Sequence, residues 1–365
     1  MTRLLPILIL FCAISVSAQK PMPADKNATK ETVYLYQNLF ELKKQGLMFG
    51  HQDDLAYGEG WYGEEGRSDV KDVCGDYPAV YGWEIGHLEL GDEYSLDSVY
   101  FKDIQNWVKT VYERGGINTI SWHLRNPFTG GSSWDVSSKK VVAAILPGGE
   151  KHELFVSWLD ELANFLNGLE TDEGTKIPVL FRPFHEHTGS WFWWGRDLCT
   201  VEEYKALWRF TVDYLQNTKG IHHLLYTYST DRFQTETEYL ERYLGDDIVD
   251  VLGFDLYDRG SYYKGTLKNC AEKVTKLAAE KGKVATVSET GGPIASNHNW
   301  WTEVLEILQP YELSYVLVWR NPFRPTDHGN FAPCKGSPDS ENFIKFYNDQ
   351  HTIFQKELTE KDIYQ

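Results

Sequence analysis

Short apolar segments that read as β-strands recur eight times along this 365-residue chain, and helical patterns lie between them. Most of these segments are continuously apolar rather than alternating, which is typical of parallel strands covered on both faces. Strand followed by helix, about eight times over, predicts a single-domain (β/α)8 TIM barrel. The predicted strands are residues 47–50, 79–85, 117–122, 177–182, 224–228, 251–257, 284–288 and 315–319.

Glycines support this division, because Gly46, Gly115 and Gly282 follow helical patterns where a left-handed C-cap residue is favoured. A doubly wound open sheet is the alternative architecture. Residues 50–53 read Gly-His-Gln-Asp and lack the glycine-rich phosphate loop that such a sheet carries after its first strand. The predicted helices are residues 32–45, 96–114, 152–169, 202–216, 267–281, 301–308 and 342–358.

The N-terminus predicts a secretory signal peptide. Arg3 precedes an apolar run over residues 4–16, and small residues lead up to Ala18. This run is too short to span a bilayer, so we expect no membrane span and an exported protein, periplasmic or secreted. The predicted organisation is a signal peptide at residues 1–18, a polar tether at 19–30 and one catalytic domain at 31–365.

Composition restricts the possible partners. The formal net charge of −17 argues against nucleic acid and anionic membrane surfaces. Aromatic residues make up 15% of the chain, which is more than a core needs and favours a ligand groove lined with rings. No CxxC motif, Ca²⁺ loop or nucleotide motif occurs, so we expect no metal and no cofactor, and a monomer is the default. Four cysteines follow the signal peptide, and the sequence leaves their pairing open.

Polar and aromatic residues stand at the C-terminal ends of the predicted strands, where barrel enzymes keep their active sites. Two of them are glutamates, Glu186 after strand four and Glu289 after strand seven. Acetal cleavage needs one carboxylic acid for the leaving oxygen and a second carboxylate to attack the sugar or to activate water. The pair therefore predicts a glycoside hydrolase. The other strand-end residues are 51–54, Trp83, Glu84, His123, His185, His187, Tyr226, Tyr228, Asp231, Asp255, Tyr257, Trp319 and Arg320.

Three tryptophans follow Glu186 closely in the sequence. Trp191, Trp193 and Trp194 are predicted to be platforms on which sugar rings stack, although at least one of them is expected to close the top of the core. An aromatic pocket would also raise the pKa of Glu186 by desolvation, as a general acid requires.

Four stretches resemble glycoside hydrolase family 26, whose best-known members are β-1,4-mannanases with a retaining mechanism and a (β/α)8 barrel. The stretch Arg-Pro-Phe-His-Glu-His at residues 182–187, with Trp191 after it, is the most specific. Gly-His-Gln-Asp-Asp at residues 50–54 and Ser-Glu-Thr-Gly at 288–291 add to it, and Trp-Arg at 319–320 supports it. Together these stretches span most of the chain.

The resemblance implies that Glu289 is the nucleophile and Glu186 the acid/base of a double displacement on β-1,4-mannan, galactomannan included. It also implies that His185 contacts the sugar or the nucleophile and that Tyr257 hydrogen-bonds Glu289. Retention would place the two carboxyl groups roughly 5 Å apart. The residues implied to line the subsites are His123, Trp191, Trp319 and Arg320.

The loop at residues 125–150, which holds Trp134, is long enough to be functional. If it covers the glycone side of the cleft, cleavage is exo-acting and releases short oligosaccharides, whereas an open groove gives endo cleavage. The sequence leaves this choice open.

Three alternatives accompany the mannanase interpretation. Xylan or mixed-linkage β-glucan would use the same fold and mechanism. A metal-dependent hydrolase would use His185 and His187 as ligands, yet strands five and six offer Tyr and Asp where further His ligands are expected. A non-catalytic glycan-binding barrel would keep the tryptophans but would not need both Glu186 and Glu289.

Overall fold

Eight parallel strands form a closed barrel in the computed structural model of the chain, which describes residues 20–324 and 329–365. Neighbouring strands pair in chain order, and the last strand pairs with the first, Tyr315 opposite Met48. The TIM-barrel prediction is confirmed, and the open sheet is wrong because the sheet closes. The strands are β1 Leu47–Gln52, β2 Val80–Glu84, β3 Ile117–Trp122, β4 Val179–Pro183, β5 Leu224–Thr230, β6 Val251–Tyr257, β7 Val284–Gly291 and β8 Tyr315–Val318.

Helices connect the strands and begin and end at recognisable signals. Thr200 and Glu203 form a capping box at the start of one helix, and Gly282, at φ 63°, ends another. Among the described residues, none of the helices is long and apolar enough to cross a membrane. The helices are α1 Lys30–Leu42, α2 Asp69–Cys74, α3 Phe101–Glu113, α4 Val141–Ile145, α5 His152–Asn167, α6 Val201–Asp213, α7 Glu236–Leu240, α8 Tyr263–Lys281, α9 Trp300–Leu308, α10 Ser340–Tyr347 and α11 Gln355–Thr359.

Helix α1 covers the N-terminal end of the barrel. Leu35 and Leu39 are buried in one apolar cluster with the first residues of several strands. The Tyr36 hydroxyl donates at 3.4 Å to the carbonyl oxygens of Asp250 and Gly282, which lie just before β6 and β7. Because apolar burial seals this end, the C-terminal end of the barrel is the one left for a site.

Residues 20–29, part of the polar tether predicted at residues 19–30, lie against the same end of the barrel. The backbone N–H of Ala24 donates to Asp250 at 2.7 Å, and Asp25 pairs with the His222 ring at 2.8 Å. Polar groups of this segment therefore hydrogen-bond to the barrel. The signal peptide predicted at residues 1–18 lies outside the described residues, so export stays a prediction, as does the monomeric state.

The predicted helix at residues 342–358 is wrong in its second half. Helix α10 ends at Tyr347, Thr352–Ile353 pairs with β1 as a two-residue strand, and α11 follows. The β-branched pair favours a strand at the edge of β1 over a continued helix. The Thr352 hydroxyl also donates to the carbonyl of Phe346 at 2.8 Å, which turns the chain back.

The four cysteines after the N-terminal segment, Cys74, Cys199, Cys270 and Cys334, are free thiols. Each is at least half-buried in its surroundings, and burial raises the pKa of the Cys270 thiol to about 12. The domain is therefore held by its core and hydrogen bonds without disulfides among these residues.

Candidate active site

A cleft of about 520 Å³ lies across the C-terminal ends of the strands. Its lining includes nine of the residues to which the sequence assigned a site role, namely Glu186, Glu289, His123, His185, Trp191, Tyr257, Trp319, Arg320 and Trp134. The other lining residues are Leu96, Asp97, Phe192, Asp231, Arg232, Leu256, Arg259 and Tyr262. Only Asp231 among these was noted from its place after a strand.

A β-bulge in β7 sets the position of Glu289. Phe254 of β6 pairs with Val287, but the next residue, Asp255, pairs with Glu289, so Ser288 is the extra residue. A bulge of this kind bends a strand and redirects a side chain. Ser288 turns its hydroxyl to Asp255 at 2.7 Å, while Glu289 lines the cleft with 6% of its surface exposed.

Both carboxylate oxygens of Glu289 accept short hydrogen bonds. The guanidinium of Arg182 donates to one at 2.6 Å, and the hydroxyl of Tyr257 donates to the other at 2.6 Å. Charge-assisted bonds of this length favour the ionised carboxylate, and two of them fix its orientation. Glu289 is therefore arranged as a fixed anion facing the cleft.

Asp255 holds Arg182 in this position. Its carboxylate accepts from Arg182 at 2.7 Å through one oxygen and from the hydroxyls of Ser229 and Ser288 through the other. Burial raises the pKa of Asp255 to about 7, although the Arg182 charge opposes the rise. The buried guanidinium thus lies between two carboxylates, Asp255 and Glu289, which compensates its desolvation.

The chain after β4 is strained where it presents Glu186. Phe184 and Glu186 both have φ of 50°, a left-handed conformation that non-glycine residues seldom adopt. Hydrogen bonds hold the turn. Tyr204 donates to the carbonyl of Phe184 at 2.9 Å, and the N–H of Glu186 donates to the carbonyl of Ser229 at 3.1 Å. A side chain fixed by this strained turn is a candidate for a catalytic group.

Glu186 is in a different electrostatic environment from Glu289. Burial raises its pKa well above the usual range, and the negative charges of Glu289, Asp255 and Asp231 raise it further. The indole N–H of Trp191 donates to one Glu186 oxygen at 2.6 Å, which leaves the other oxygen to carry the proton. Burial and the neighbouring negative charges both favour the protonated form of Glu186, as a proton donor requires.

Two histidines form one wall of the cleft. The His123 ring contacts Glu84 through Nδ1 at 2.7 Å and the His185 ring through Nε2 at 3.1 Å. Burial acts to lower the pKa of His123, but the charge and hydrogen bond of Glu84 together have the larger effect. The net pKa of His123 is therefore raised. Burial and the Arg182 charge push the pKa of His185 far down. We therefore assign the shared proton to His123, which donates to a neutral His185.

Of the three tryptophans predicted as sugar platforms, one is available to a ligand. Trp191 is 39% exposed in the cleft, whereas Trp193 and Trp194 are fully buried. The prediction of sugar platforms is wrong for Trp193 and Trp194, because their indole N–H groups donate to the carbonyls of Leu124 and His185 inside the core. Both rings support the turn that carries Glu186.

Trp134 supplies a second exposed ring from the loop at residues 125–150. It is 50% exposed and lies over the His123 ring, with centroids 5.3 Å apart and planes 14° apart. Its stacking on a fixed imidazole lowers the entropy cost of presenting an open aromatic face to a ligand.

The cleft has an arginine beside an aromatic ring at both ends. Arg320 pairs with Asp97 at 3.1 Å beside Trp319. Beyond Glu186, the guanidinium of Arg232 lies 5.2 Å from the ring centroid of Tyr262. The ends thus offer hydrogen-bonding groups next to aromatic surfaces, as polar ligands with flat apolar faces require.

Several strand-end residues lie beneath the cleft and anchor loops. Asp54 accepts from the His51 ring at 2.7 Å and from Ser68 at 2.9 Å, and Asp53 accepts from the Tyr57 hydroxyl at 2.9 Å. These residues fix the loop after β1. These polar residues follow a strand but do not reach the cleft, because they are buried and make the hydrogen bonds that hold the loop.

The proposed ligand pair of a metal enzyme does not form. His187 is fully buried between the rings of Tyr204 and Tyr228, at 4.5 Å and 4.8 Å, while His185 contacts His123. Within residues 20–324 and 329–365, no group of three or more His, Cys, Asp or Glu side chains is arranged to hold a metal ion.

Known proteins are similar to this chain in sequence and in fold. The model of glycosyl hydrolase family 26 matches residues 24–319. A solved family 26 β-mannanase from Bacteroides ovatus is 46% identical, with 91% of this chain and 97% of that chain covered and a TM-score of 0.88. The solved catalytic domain of a family 26 endo-β-1,4-mannanase from Bacillus sp. JAMB-750 is 34% identical, with 96% and 98% covered and a TM-score of 0.88.

A mannan endo-1,4-β-mannosidase from Bifidobacterium adolescentis is 34% identical over an alignment of 348 positions, with 88% of this chain and 34% of that protein covered. The chain thus spans about a third of the length of this relative. The family match covers most of the chain and includes both cleft glutamates. The chain belongs to glycosyl hydrolase family 26.

Proposed function

We propose that this protein hydrolyses β-1,4-mannosidic bonds of mannan and galactomannan by a retaining double displacement, with Glu289 as nucleophile and Glu186 as acid/base. One observation carries the proposal. Two carboxyl groups of one cleft have opposite environments: Glu289 is held by two donors, whereas Glu186 is half-buried, and desolvation and nearby negative charges raise its pKa. Such a division of two carboxyls into anion and acid is the arrangement that glycoside hydrolysis uses.

In the first step Glu186 gives its proton to the glycosidic oxygen while an oxygen of Glu289 attacks the anomeric carbon. The bond to the leaving sugar breaks, and a covalent glycosyl–enzyme forms. In the second step Glu186, now a carboxylate, takes a proton from water, and the water oxygen attacks the same carbon and releases Glu289. Arg182 and Tyr257 orient Glu289 before attack and receive it again at the end.

The position of the acid gives the cleft a direction. Because Glu186 must reach the leaving oxygen, the leaving sugar lies on its side, against the exposed ring of Trp191. The retained sugar then lies towards His123 and His185, and the glycone continues towards Trp319 and Arg320. Aromatic rings on both sides of the cleavage point suit the apolar faces of pyranose rings.

Mannan is favoured as the substrate because the similar proteins described above are named as mannanases. They give no support to xylan or mixed-linkage glucan. A binding protein without catalysis would not need a strained acid and a nucleophile held by two donors in the same cleft.

A product time course tests the proposal. We expect the protein to release oligosaccharides from linear β-1,4-mannan, with the β-anomer of the new reducing end appearing first in proton NMR spectra and the α-anomer growing only by mutarotation. A spread of early product sizes would show endo cleavage, and one short product would show exo cleavage. Initial release of the α-anomer, or no release from mannan, would contradict the proposal.

The pH dependence of activity should follow Glu186. Its acid form is present below its raised pKa and is lost as the pH rises through it, so kcat/KM on mannan should fall at alkaline pH. An aryl β-mannobioside with a very acidic phenol needs no proton for departure. We therefore expect the rate of phenol release in the first turnover to lack this alkaline decline. The same decline with both substrates would show that another group is responsible.

A further inference from the structure

Three exposed tyrosines form a cluster outside the cleft. Tyr62, Tyr94 and Tyr100 are 41%, 42% and 42% exposed, and the rings of Tyr94 and Tyr100 lie 4.5 Å apart between centroids. Tyr62 packs on Phe323 at 5.1 Å, which fixes its ring. We call these three tyrosines the tyrosine platform. The cleavage chemistry described above does not use it.

The tyrosine platform is continuous with the glycone end of the cleft. Tyr94 and Tyr100 pair across an antiparallel bridge, and the turn between them carries Asp97, which lines the cleft. The Tyr62 hydroxyl donates to the carbonyl of Ser98, the next residue, at 2.6 Å. One short turn therefore presents a cleft residue on one side and the tyrosines on the other.

The surroundings of the tyrosine platform restrict its ligand. The pKa of Tyr94 is raised mainly by Tyr100, and Glu93 adds to this effect. The pKa of Tyr62 is raised mainly by burial, and Asp103 adds to this effect, so both carboxylates lie near the rings.

On the Tyr62 side of the tyrosine platform, Arg324 adds a positive charge beside Phe323 and Ser98. These opposite charges give a charged polymer no uniform attraction, whereas a neutral polymer is unaffected by either sign. Flat rings carrying hydroxyl groups suit a neutral polysaccharide, which has apolar faces and hydroxyl edges.

The size of the tyrosine platform argues against a protein partner. Three tyrosines at this exposure offer on the order of 250 Å² of surface. A stable protein interface needs about 800 Å² on each partner. A polysaccharide chain needs much less buried surface at each site, because its many identical repeats can bind the same site in turn.

We propose that the tyrosine platform is a second binding site for neutral β-mannan chains, outside the catalytic cleft. This inference rests on the proposed function, because it names the same polysaccharide. The site would hold the polymer at the enzyme surface beside the glycone end, so it would act on long chains and not on oligosaccharides that fit within the cleft.

The test compares a Tyr94→Ala/Tyr100→Ala variant with Tyr34→Ala, which removes a tyrosine from α1 at the opposite end of the barrel. We expect the double variant to lose retardation in gels containing galactomannan and to show about a three- to tenfold higher KM on the polymer. Its kcat/KM on mannotetraose should equal that of the parent. The Tyr94→Phe/Tyr100→Phe variant, which keeps both rings, should retain most of the polymer binding.

Unchanged retardation and unchanged polymer KM in the double alanine variant would overturn the second site. Equal losses on polymer and mannotetraose would also overturn it, because they would assign the tyrosines to the cleft or to folding. If the parent protein is retarded by galactomannan through these tyrosines but does not cleave mannan, the proposed function fails while the binding site stands.

Discussion

Replacement of Glu289 by alanine should lower kcat on mannan by about four to six orders of magnitude while the protein stays folded. The Glu289 carboxylate is the group that would form the covalent bond, and among the described residues it is the cleft carboxylate that Arg182 and Tyr257 hold. Arg182 keeps its ion pair with Asp255 in the variant, so the buried guanidinium is not left without a counter-charge. Initial rates on mannan and a thermal melt measure the two expectations.

Glu289→Gln is the matched control, because it keeps the size of the side chain and can still contact Arg182 and Tyr257. It should be as inactive as the alanine variant, since an amide is not a nucleophile at this carbon. With an activated aryl β-mannobioside, azide should enter the space left in Glu289→Ala and give the α-mannosyl azide by a single inversion. Parent-like turnover by the glutamine variant would refute the assignment.

The barrel could be predicted from the sequence because it depends on local patterns repeated many times. The ranges predicted for two strands, Ile117–Trp122 and Val251–Tyr257, coincide with the observed β3 and β6. Apolar runs mark strands that are buried on both faces, and glycines such as Gly282 mark helix ends. Each signal is weak, but eight repeats of the same order admit few architectures.

The end of β7 shows where local patterns stop being sufficient. The strand was predicted to end at Ser288, yet it continues to Gly291 because a bulge admits one extra residue beside β6. A bulge depends on the register of two strands, which neither strand specifies by itself. The sequence could place Glu289 at the right end of the barrel but could not give its direction.

The support of Glu289 was also beyond sequence reasoning. Arg182 and Asp255 are 73 positions apart, and their contact exists only because β4 and β6 face the same barrel interior. Arg182 stood inside the most specific motif and Asp255 at a strand end, but neither received a role. The signal available in the sequence was an arginine in an apolar strand together with a carboxylate at the end of another strand. The two can be paired only once the closed barrel shows that they face the same interior.

The prediction for the three tryptophans was incomplete for a related reason. Trp191, Trp193 and Trp194 are chemically alike and close in sequence, so the sequence could predict that at least one of them closes the core but not which of them are sugar platforms. The turn after β4 directs only Trp191 into the cleft and buries the other two. Which ring becomes exposed is decided by the hydrogen bonds that the buried indoles make, such as that from Trp194 to the carbonyl of His185.

Replacement of Glu186 by alanine should affect substrates according to their leaving groups. On mannan, the loss of the proton donor should lower kcat/KM by about two to four orders of magnitude. With a dinitrophenyl β-mannobioside, the first step should stay fast, and the second should stall because nothing activates water. A burst of phenol followed by a slow steady state, observed by stopped flow, is the expected result. Trp191 loses its acceptor in this variant, so Trp191→Phe serves as a control for that contact alone.

Azide or formate should restore steady turnover of Glu186→Ala, because an anion needs no general base and can occupy the space of the carboxylate. The azide product should be the β-mannosyl azide, formed by two inversions, whereas Glu289→Ala should give the α-anomer. Opposite anomers from the two variants would assign the two roles independently of any rate. If both variants give the same anomer, or if no anion accelerates Glu186→Ala, then the opposite environments of the two carboxyls do not correspond to acid and nucleophile.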